Sequence, residues 1–295
     1  MSASELAVVV ASVNGLPYVA DCLDALQRNA PDAQVILADS TSAATRRVIT
    51  ERFPRVTILS FEEQMTVPEL RAAGIFASTA PYVALIEDHC NIRDGWAEAL
   101  LAAHAAGHSV VGGPIRNAAD RRIRDWAAFL CEYSSYLPPA PAGAVDDLPG
   151  MNVSYDRSAI AAIEDLLREG RWEGWLHARL IERGFELWNE PGMVLDHAKD
   201  FGLLEFLSQR YHYSRSYAGM RNAELGWKRW VYACGAPLLV PLMYRRVARN
   251  VARTGSYRRE LTRSTPLILL YSVVWAGGEA IGGFFGGGRS LLHVR

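Results

Sequence analysis

Glu87, Asp88 and His89 stand together directly after the apolar run Pro81 to Ile86. Two carboxylates and an imidazole are costly to crowd unless positive charge sits among them, and an oxygen-preferring divalent cation would supply it. On extended backbone Glu87 and His89, two positions apart, project to the same side. The competing reading is a strand end whose charges are simply solvated. Asp39 closes another apolar run, where its carboxylate can accept hydrogen bonds from a base or ribose; it can equally be a helix N-cap shared with Ser40 or Ser42. No G-x-G-x-x-G follows the first apolar run and no G-x-x-x-x-G-K-[ST] occurs, so the common phosphate-cradling loops are absent.

The elements that must carry these residues read as alternating strands and helices. Leu6 to Val13 is a near-continuous apolar, β-branched run, and after Asn14-Gly15 the positions Val19, Leu23 and Leu26 follow at helical spacing. The pattern recurs as a strand over Gln34 to Ala38, a helix over Thr41 to Arg52, a strand over Arg55 to Ser60, a helix over Val67 to Ser78 and a strand over Pro81 to Ile86. Thr66 and Glu69 form a capping-box pair with Pro68 in the first turn, where a missing N–H costs nothing. Such alternation predicts an α/β fold with parallel strands covered on both faces, and ligands bind beyond the carboxyl ends of those strands. Ser12-Val13-Asn14, Asp39 and Glu87-Asp88-His89 all fall at that rim.

With those positions marked, the order Val10-Ala11-Ser12-Val13-Asn14, then Asp39, then Arg71-Ala72-Ala73-Gly74, then a strand ending in an acidic triplet resembles the family 2 glycosyltransferases of the GT-A fold. The resemblance runs from residue 7 to 221. It implies a Rossmann-like mixed sheet with flanking helices. It also implies nucleotide contacts at Ser12, Asn14 and Asp39, with Arg71 and Asp88 beside them. The family's Asp-x-Asp metal motif is occupied here by Glu87-Asp88-His89, both outer aspartates being replaced. Glutamate and neutral imidazole still ligate Mn2+ or Mg2+, and the imidazole tilts the preference toward manganese. Leu148 to Tyr155 is similar to the family's glycine-containing acceptor-side segment. Counting back from Gly184 puts Glu173 on the family's catalytic base, although a helix N-terminal carboxylate is the plainer role. His197 matches a histidine that approaches the metal or diphosphate. Arg210 and Arg215 match a helix that brings a cation over the donor phosphates, with a solvated helix face as the alternative.

The implied reaction is inverting transfer of a sugar from a nucleotide-diphosphate donor to an acceptor hydroxyl, with Glu173 as base. It requires Glu87 and Glu173 to face one cleft. A non-catalytic relative that kept the fold while its metal motif drifted, or a nucleotidyltransferase on a similar sheet, are the rivals.

The chain's 295 residues, half of them hydrophobic, suffice for a sizeable core, and a formal net charge of -1 argues against a nucleic-acid binder. Cys22, Cys90, Cys131 and Cys234 form no CxxC pair, and the opening Met1-Ser-Ala-Ser-Glu has no basic region, so a cytoplasmic, reducing location is expected. Residues 1–225 are expected to form the catalytic domain, with 1–90 the nucleotide-sugar half and 91–225 the acceptor half. Residues 226–295 change character. Trp230 to Tyr244 is apolar but carries Pro237 and Pro241. Arg245, Arg246, Arg249, Arg253, Arg258, Arg259 and Arg263 then stand against the single acid Glu260, and Pro266 to Phe285 is long enough to span a bilayer yet contains Glu279. With its many tryptophans and tyrosines, this region is expected to associate with the cytoplasmic face of a membrane, its acceptor being a lipid-linked sugar or a glycan. A buried helical hairpin or a homo-oligomer contact is the alternative.

Overall fold

The computed structural model describes residues 5–294, apart from the side chain of Ala223. The opening Met1 to Ser4, read above as lacking a leader, lies outside the described residues. The chain forms two compact units, one of residues 1–118 and 138–199, the other of residues 119–137 and 200–295.

In the first unit β1 (Leu6–Ser12), β2 (Gln34–Asp39), β3 (Thr57–Ser60) and β4 (Tyr82–Glu87) alternate with α1 (Tyr18–Asn29), α2 (Ala43–Arg52) and α3 (Val67–Ala77). All seven residues of β1 are buried, as expected of a parallel strand covered on both faces. Next come β5 (Cys90–Ile92), α4 (Trp96–Ala105), β6 (Val110–Gly112) and β7 (Ile115–Asn117), and, after α5 (Ile123–Tyr133) of the second unit, β8 (Gly143–Val145) and β9 (Val153–Asp156). The unit closes with α6 (Arg157–Ala162), α7 (Glu164–Arg168), α8 (Glu173–Glu182), β10 (Leu187–Asn189) and β11 (Leu195–His197).

The main sheet runs β3-β2-β1-β4-β9-β6-β10-β8. Its first four strands are parallel, whereas β9 lies antiparallel between β4 and β6, so the sheet is mixed. A small sheet, β5-β11-β7, sets His197 opposite Cys90. The capping box of α3 forms as its sequence predicts: Thr66 accepts from the Glu69 N–H, and Glu69 Oε2 accepts from the Thr66 N–H at 2.8 Å. Gly74 lets α3 lie close on β1, since a Cβ there would come within 2.2 Å of Val9 Cγ1. That close approach carries Arg71, one turn earlier on α3, to the end of β4.

The second unit is helical: α5, α9 (Leu203–Leu225), α10 (Lys228–Gly235), α11 (Leu239–Thr254) and α12 (Arg258–Phe285). Pro237 sits in a 3-10 turn over Ala236–Leu238 and Pro241 in the first turn of α11, places where a missing N–H is cheap. Helix α12 lies along α9 in a regular register. Phe206 meets Tyr271 with ring centroids 4.6 Å apart, and Arg210 stacks over Trp275 at 4.0 Å. Glycines then bring the backbones together: a Cβ on Gly278 would lie 2.0 Å from Ser214 Oγ, and one on Gly282 would lie 2.4 Å from the Arg215 carbonyl. Glu279, the carboxylate inside the apolar run, is buried and ion-paired with Arg221 of α9.

Neighbouring glycines on α12 should respond oppositely to alanine. Gly278→Ala overpacks the α9 contact and is expected to cost about 1–3 kcal/mol in urea unfolding. Gly277 has open space around its Cβ position. Gly277→Ala should therefore be neutral or add up to about 1 kcal/mol by helix propensity.

Candidate active site

The loop after β1 is held by one buried carboxylate. Asp88 Oδ2 accepts from Ser12 Oγ at 3.1 Å and from the backbone N–H groups of Val13, Asn14 and Gly15 at 2.7 to 3.2 Å; Oδ1 accepts from Asn14 Nδ2 at 2.7 Å. Burial alone would raise the Asp88 carboxyl. The hydrogen bond and charge of His89, then the Asn14 bonds, outweigh it and hold the carboxyl below its usual range. Ser12 and Asp88, assigned above to the nucleotide, are fully buried and bonded to each other. Their visible work is to fix the loop.

Glu87 closes β4 and Asp88 and His89 form the turn after it, and the Glu87 carboxylate meets a different set of partners from that of Asp88. Arg71 joins Glu87 to Glu173: Nη2 lies 2.5 Å from Glu87 Oε1 and Nη1 lies 3.0 Å from Glu173 Oε2. The carboxylates of Glu87 and Glu173 thus share a single buried guanidinium, which also lies over the Trp172 ring at 5.9 Å. Glu173 is the first residue of α8, so the helix N-terminus favours its negative charge as well. The helix-terminal role weighed for it is the one this placement shows. Gly150 makes room: a Cβ there would come within 2.5 to 2.8 Å of the Glu173 carboxylate atoms.

One turn further along α8, His177 Nδ1 lies 2.8 Å from Asp147 Oδ1, and its Nε2 lies 3.1 Å from the Tyr155 hydroxyl. A ring that donates to Asp147 and accepts from Tyr155 ties α8 to both the 147–150 segment and β9. Burial, then the charge of Glu173, pushes the Tyr155 phenol far above its ordinary range, so it stays a neutral donor.

Whether a divalent ion suits this donor set can be tested on the side chains. Among the described residues no three His, Cys, Asp or Glu side chains form a ready-made metal cage. His89 Nε2 and Glu87 Oε2 do stand 3.5 Å apart, a separation that two bonds of about 2.0–2.2 Å to one ion can close. His89 Nδ1 lies 3.3 Å from Asp88 Oδ1 and 3.2 Å from Asn14 Nδ2; in the tautomer whose Nδ1–H is directed at Asp88, the Nε2 lone pair is left for an ion. His197 stands edge-on to the His89 ring, centroids 4.7 Å apart. Burial, followed by the charges of His89 and Lys199, holds it well below the usual histidine range, so it is neutral. A pair of protein donors completed by substrate phosphates and water is an ordinary way to hold such an ion. The residues fit.

Ser12, Asn14, Glu87, Asp88, His89, His197, Arg71 and Glu173 therefore form one chain of contacts within the first unit. Asp39 is paired with Ser12 in the sheet but is fully buried, and its carboxylate accepts from Thr41 Oγ1 at 2.7 Å and from Arg46 Nη1 at 3.1 Å. Ser42 is the N-cap of α2. Arg210 and Arg215 belong to the second unit, where buried Arg210 stacks on Trp275 and lies 3.6 Å from Glu132, and Arg215 donates to the Gly286 carbonyl at 3.2 Å. Sequence reasoning missed Lys199, a buried cation whose Nζ donates to Asn14 Oδ1 at 2.7 Å. It lies two residues past His197, the one local signal available. A cavity of about 770 Å³ bounded by Glu5, Gln34, Arg55 and Pro81 lies at the amino ends of the same strands, the wrong end for the carboxylates.

This mixed sheet, with its acidic strand end after β4, defines the class: a nucleotide-sugar transferase of the GT-A fold. Residues 7–161, more than half of the chain, match the model of the glycosyl transferase family 2, and the protein belongs to that family. None of the curated proteins compared with it matches. Among solved structures it is similar to the mannosyltransferase PcManGT from Pyrobaculum calidifontis in complex with GDP-Man and Mn2+, with TM-score 0.57 and 15% identity over 93% of this chain and 86% of that one. It is also similar to GalNAc-T7 with UDP, GalNAc and Mn2+, with TM-score 0.52 and 12% identity over 66% of this chain and 43% of that one. At these identities the likeness is one of fold.

Two outcomes follow from the geometry. Gly150→Ala should displace the Glu173 carboxylate, the end of a flexible side chain, and so change the urea midpoint little while lowering turnover at least tenfold. His197 and His104 are both held below their usual range, chiefly by burial, so the native state binds fewer protons than the unfolded one. Stability is then full above the unfolded histidine pKa of about 6.5 and is lost as pH falls below it. Urea midpoints measured from neutral pH downward should decline through that range, and less steeply in His104→Gln.

Proposed function

We propose that the protein is an inverting, metal-dependent glycosyltransferase that moves a sugar from a nucleotide-diphosphate donor to a hydroxyl of a lipid-linked acceptor, at the cytoplasmic face of a membrane. The observation that carries the reading is the Arg71 bridge, which holds Glu87 and Glu173 at the carboxyl end of β4. A base and a metal-motif carboxylate kept within one guanidinium's reach suit a displacement in which acceptor and diphosphate meet on opposite sides of the anomeric carbon.

Glu173 takes the proton from the acceptor hydroxyl as that oxygen attacks, and Arg71 keeps the carboxylate aimed. Gly150, lacking a Cβ, lets the 148–152 backbone pack directly against that carboxylate. Glu87 and His89, with His197 beside them, would hold a divalent ion, manganese or magnesium, whose chemistry would be to offset the charge gathering on the leaving diphosphate. Lys199 adds a fixed positive charge to the same cluster through Asn14. The lipid-linked acceptor is supported by the exposed aromatic and apolar residues of the second unit, among them Trp227, Trp230 and Tyr232. Three buried cysteines and an exposed Cys234, all free, suit a reducing compartment.

The protein should release nucleoside diphosphate from one of the UDP-, GDP- or dTDP-sugars in the presence of Mn2+, more so with a membrane lipid extract, and chelation should stop it. Glu173→Gln should lower kcat by roughly 10²–10⁴-fold while leaving nucleoside diphosphate affinity unchanged. NMR of the product should give the anomeric configuration opposite to the donor's. Retention, or release of pyrophosphate, would overturn the mechanism.

A further inference from the structure

We infer that the second unit docks on anionic phospholipid bilayers as a surface-lying body, through the outer faces of α10, α11 and α12, and that α12 does not cross the membrane. The inference rests on the membrane-side reading above and specifies how the contact is made.

Helix α12 is the one helix among the described residues long and apolar enough to span. Its inner face, however, is committed. The register with α9 is continuous from Phe206 and Tyr271 to Asn222, whose Nδ2 donates to the Gly282 carbonyl at 2.9 Å. Helix α9 carries Glu205, Arg210, Arg215, Arg221 and Glu224 along the same length. Spanning would take α9 and its charges into hydrocarbon together with α12, at a cost of several kcal/mol. What α12 has left for lipid is one stripe: Pro266, Leu269, Leu270, Val273 and Gly277 are exposed at helical spacing.

A second stripe runs along α10, the 3-10 turn and α11. Trp227, Val231, Cys234, Leu238 and Leu242 are exposed at intervals of three or four, with Trp230 exposed beside Val231, and Trp227 is 72% and Leu238 66% accessible. Large apolar side chains so displayed are unusual on a soluble surface. Each stripe gives way to arginine toward the same turn, at Gly255. Every arginine from 245 to 263 is exposed, and the Tyr244 hydroxyl meets Thr265 Oγ1 at 3.2 Å, so α11 and α12 bring their basic ends together. Tryptophan and leucine beside a block of arginine match the acyl boundary and anionic headgroups of a bilayer. A second copy of the chain would instead place these like charges against one another.

The test uses the full chain and preformed phosphatidylcholine vesicles with and without phosphatidylglycerol, with no donor or acceptor present, so its outcome is independent of sugar transfer. Binding is expected only with the anionic lipid. It should weaken with salt and fall roughly fivefold for each of Arg245→Gln, Arg246→Gln and Arg249→Gln. Trp227→Ser with Leu242→Ser should lower it at least tenfold without moving the thermal midpoint, because both side chains are exposed. A polarity-sensitive dye on Cys234 should shift to the blue. Ser256→Cys and Arg289→Cys, flanking α12, should both react with a membrane-impermeant maleimide from outside. Equal sedimentation of all variants would overturn the inference, as would protection of one flank of α12. So would a dimer in solution that the Trp227 and Leu242 substitutions split while vesicles are not bound.

Discussion

Two carboxylates on one buried guanidinium is the arrangement on which the site depends. Arg71 is only 6% exposed and its pairing with Glu87 and Glu173 leaves the trio with net negative charge. Desolvating three charges is expensive, and the interior returns that cost only where geometry is well fixed. The surrounding structure fixes it. The capping box starts α3 at a defined residue, Gly74 presses α3 onto β1, and His177 anchors α8 through Asp147 and Tyr155. Each device sets the position of one member of the trio, and none of them touches a reacting atom.

A second buried carboxylate organises the loop beside the same strand end. Asp88 gathers three consecutive backbone N–H groups together with the Ser12 hydroxyl and the Asn14 amide. A loop without regular structure has orphan donors, and an ionised acceptor satisfies several at once. The orientation of the Asn14 amide is settled by Lys199, which can only donate and so faces Oδ1. One end of β4 thus serves two purposes: Asp88, in the turn that follows, builds the loop, and Glu87 meets Arg71.

The parts legible in the sequence were local. The α3 capping box, the buried β1 run and the shared side of Glu87 and His89 follow from spacing alone, and the Nε2 to Oε2 separation of 3.5 Å agrees with the last. Glu173 stands out through the family resemblance, by its spacing to Gly184, and the structure places it at the first residue of α8. Lys199, Gly150 and the Asp147–His177–Tyr155 connection were not legible, because each acquires meaning only when β9, α8 and β11 reach the rim through long-range pairing. Asp39 shows the other limit. Its position at a strand end is readable, but its engagement by Arg46 depends on how α2 folds back. Arg210 has the look of a free cation in sequence; Trp275, sixty-five residues away in the chain, is what occupies it.

The histidine at position 89 changes the electrostatic demand of the site. An aspartate there would add a fourth carboxylate to Glu87, Asp88 and Glu173, against the two cations Arg71 and Lys199. A neutral imbalance is nearer with His89, whose Nδ1 leans on Asp88 while Nε2 faces Glu87. Less negative charge means a weaker electrostatic pull on a divalent cation, so under the function proposed above more of the ion's binding would fall to the donor's oxygens. Imidazole also shifts preference away from magnesium toward transition metals. Arg71 is already matched by Glu87 and Glu173, so the further positive charge of this cluster is that of Lys199, bonded to Asn14.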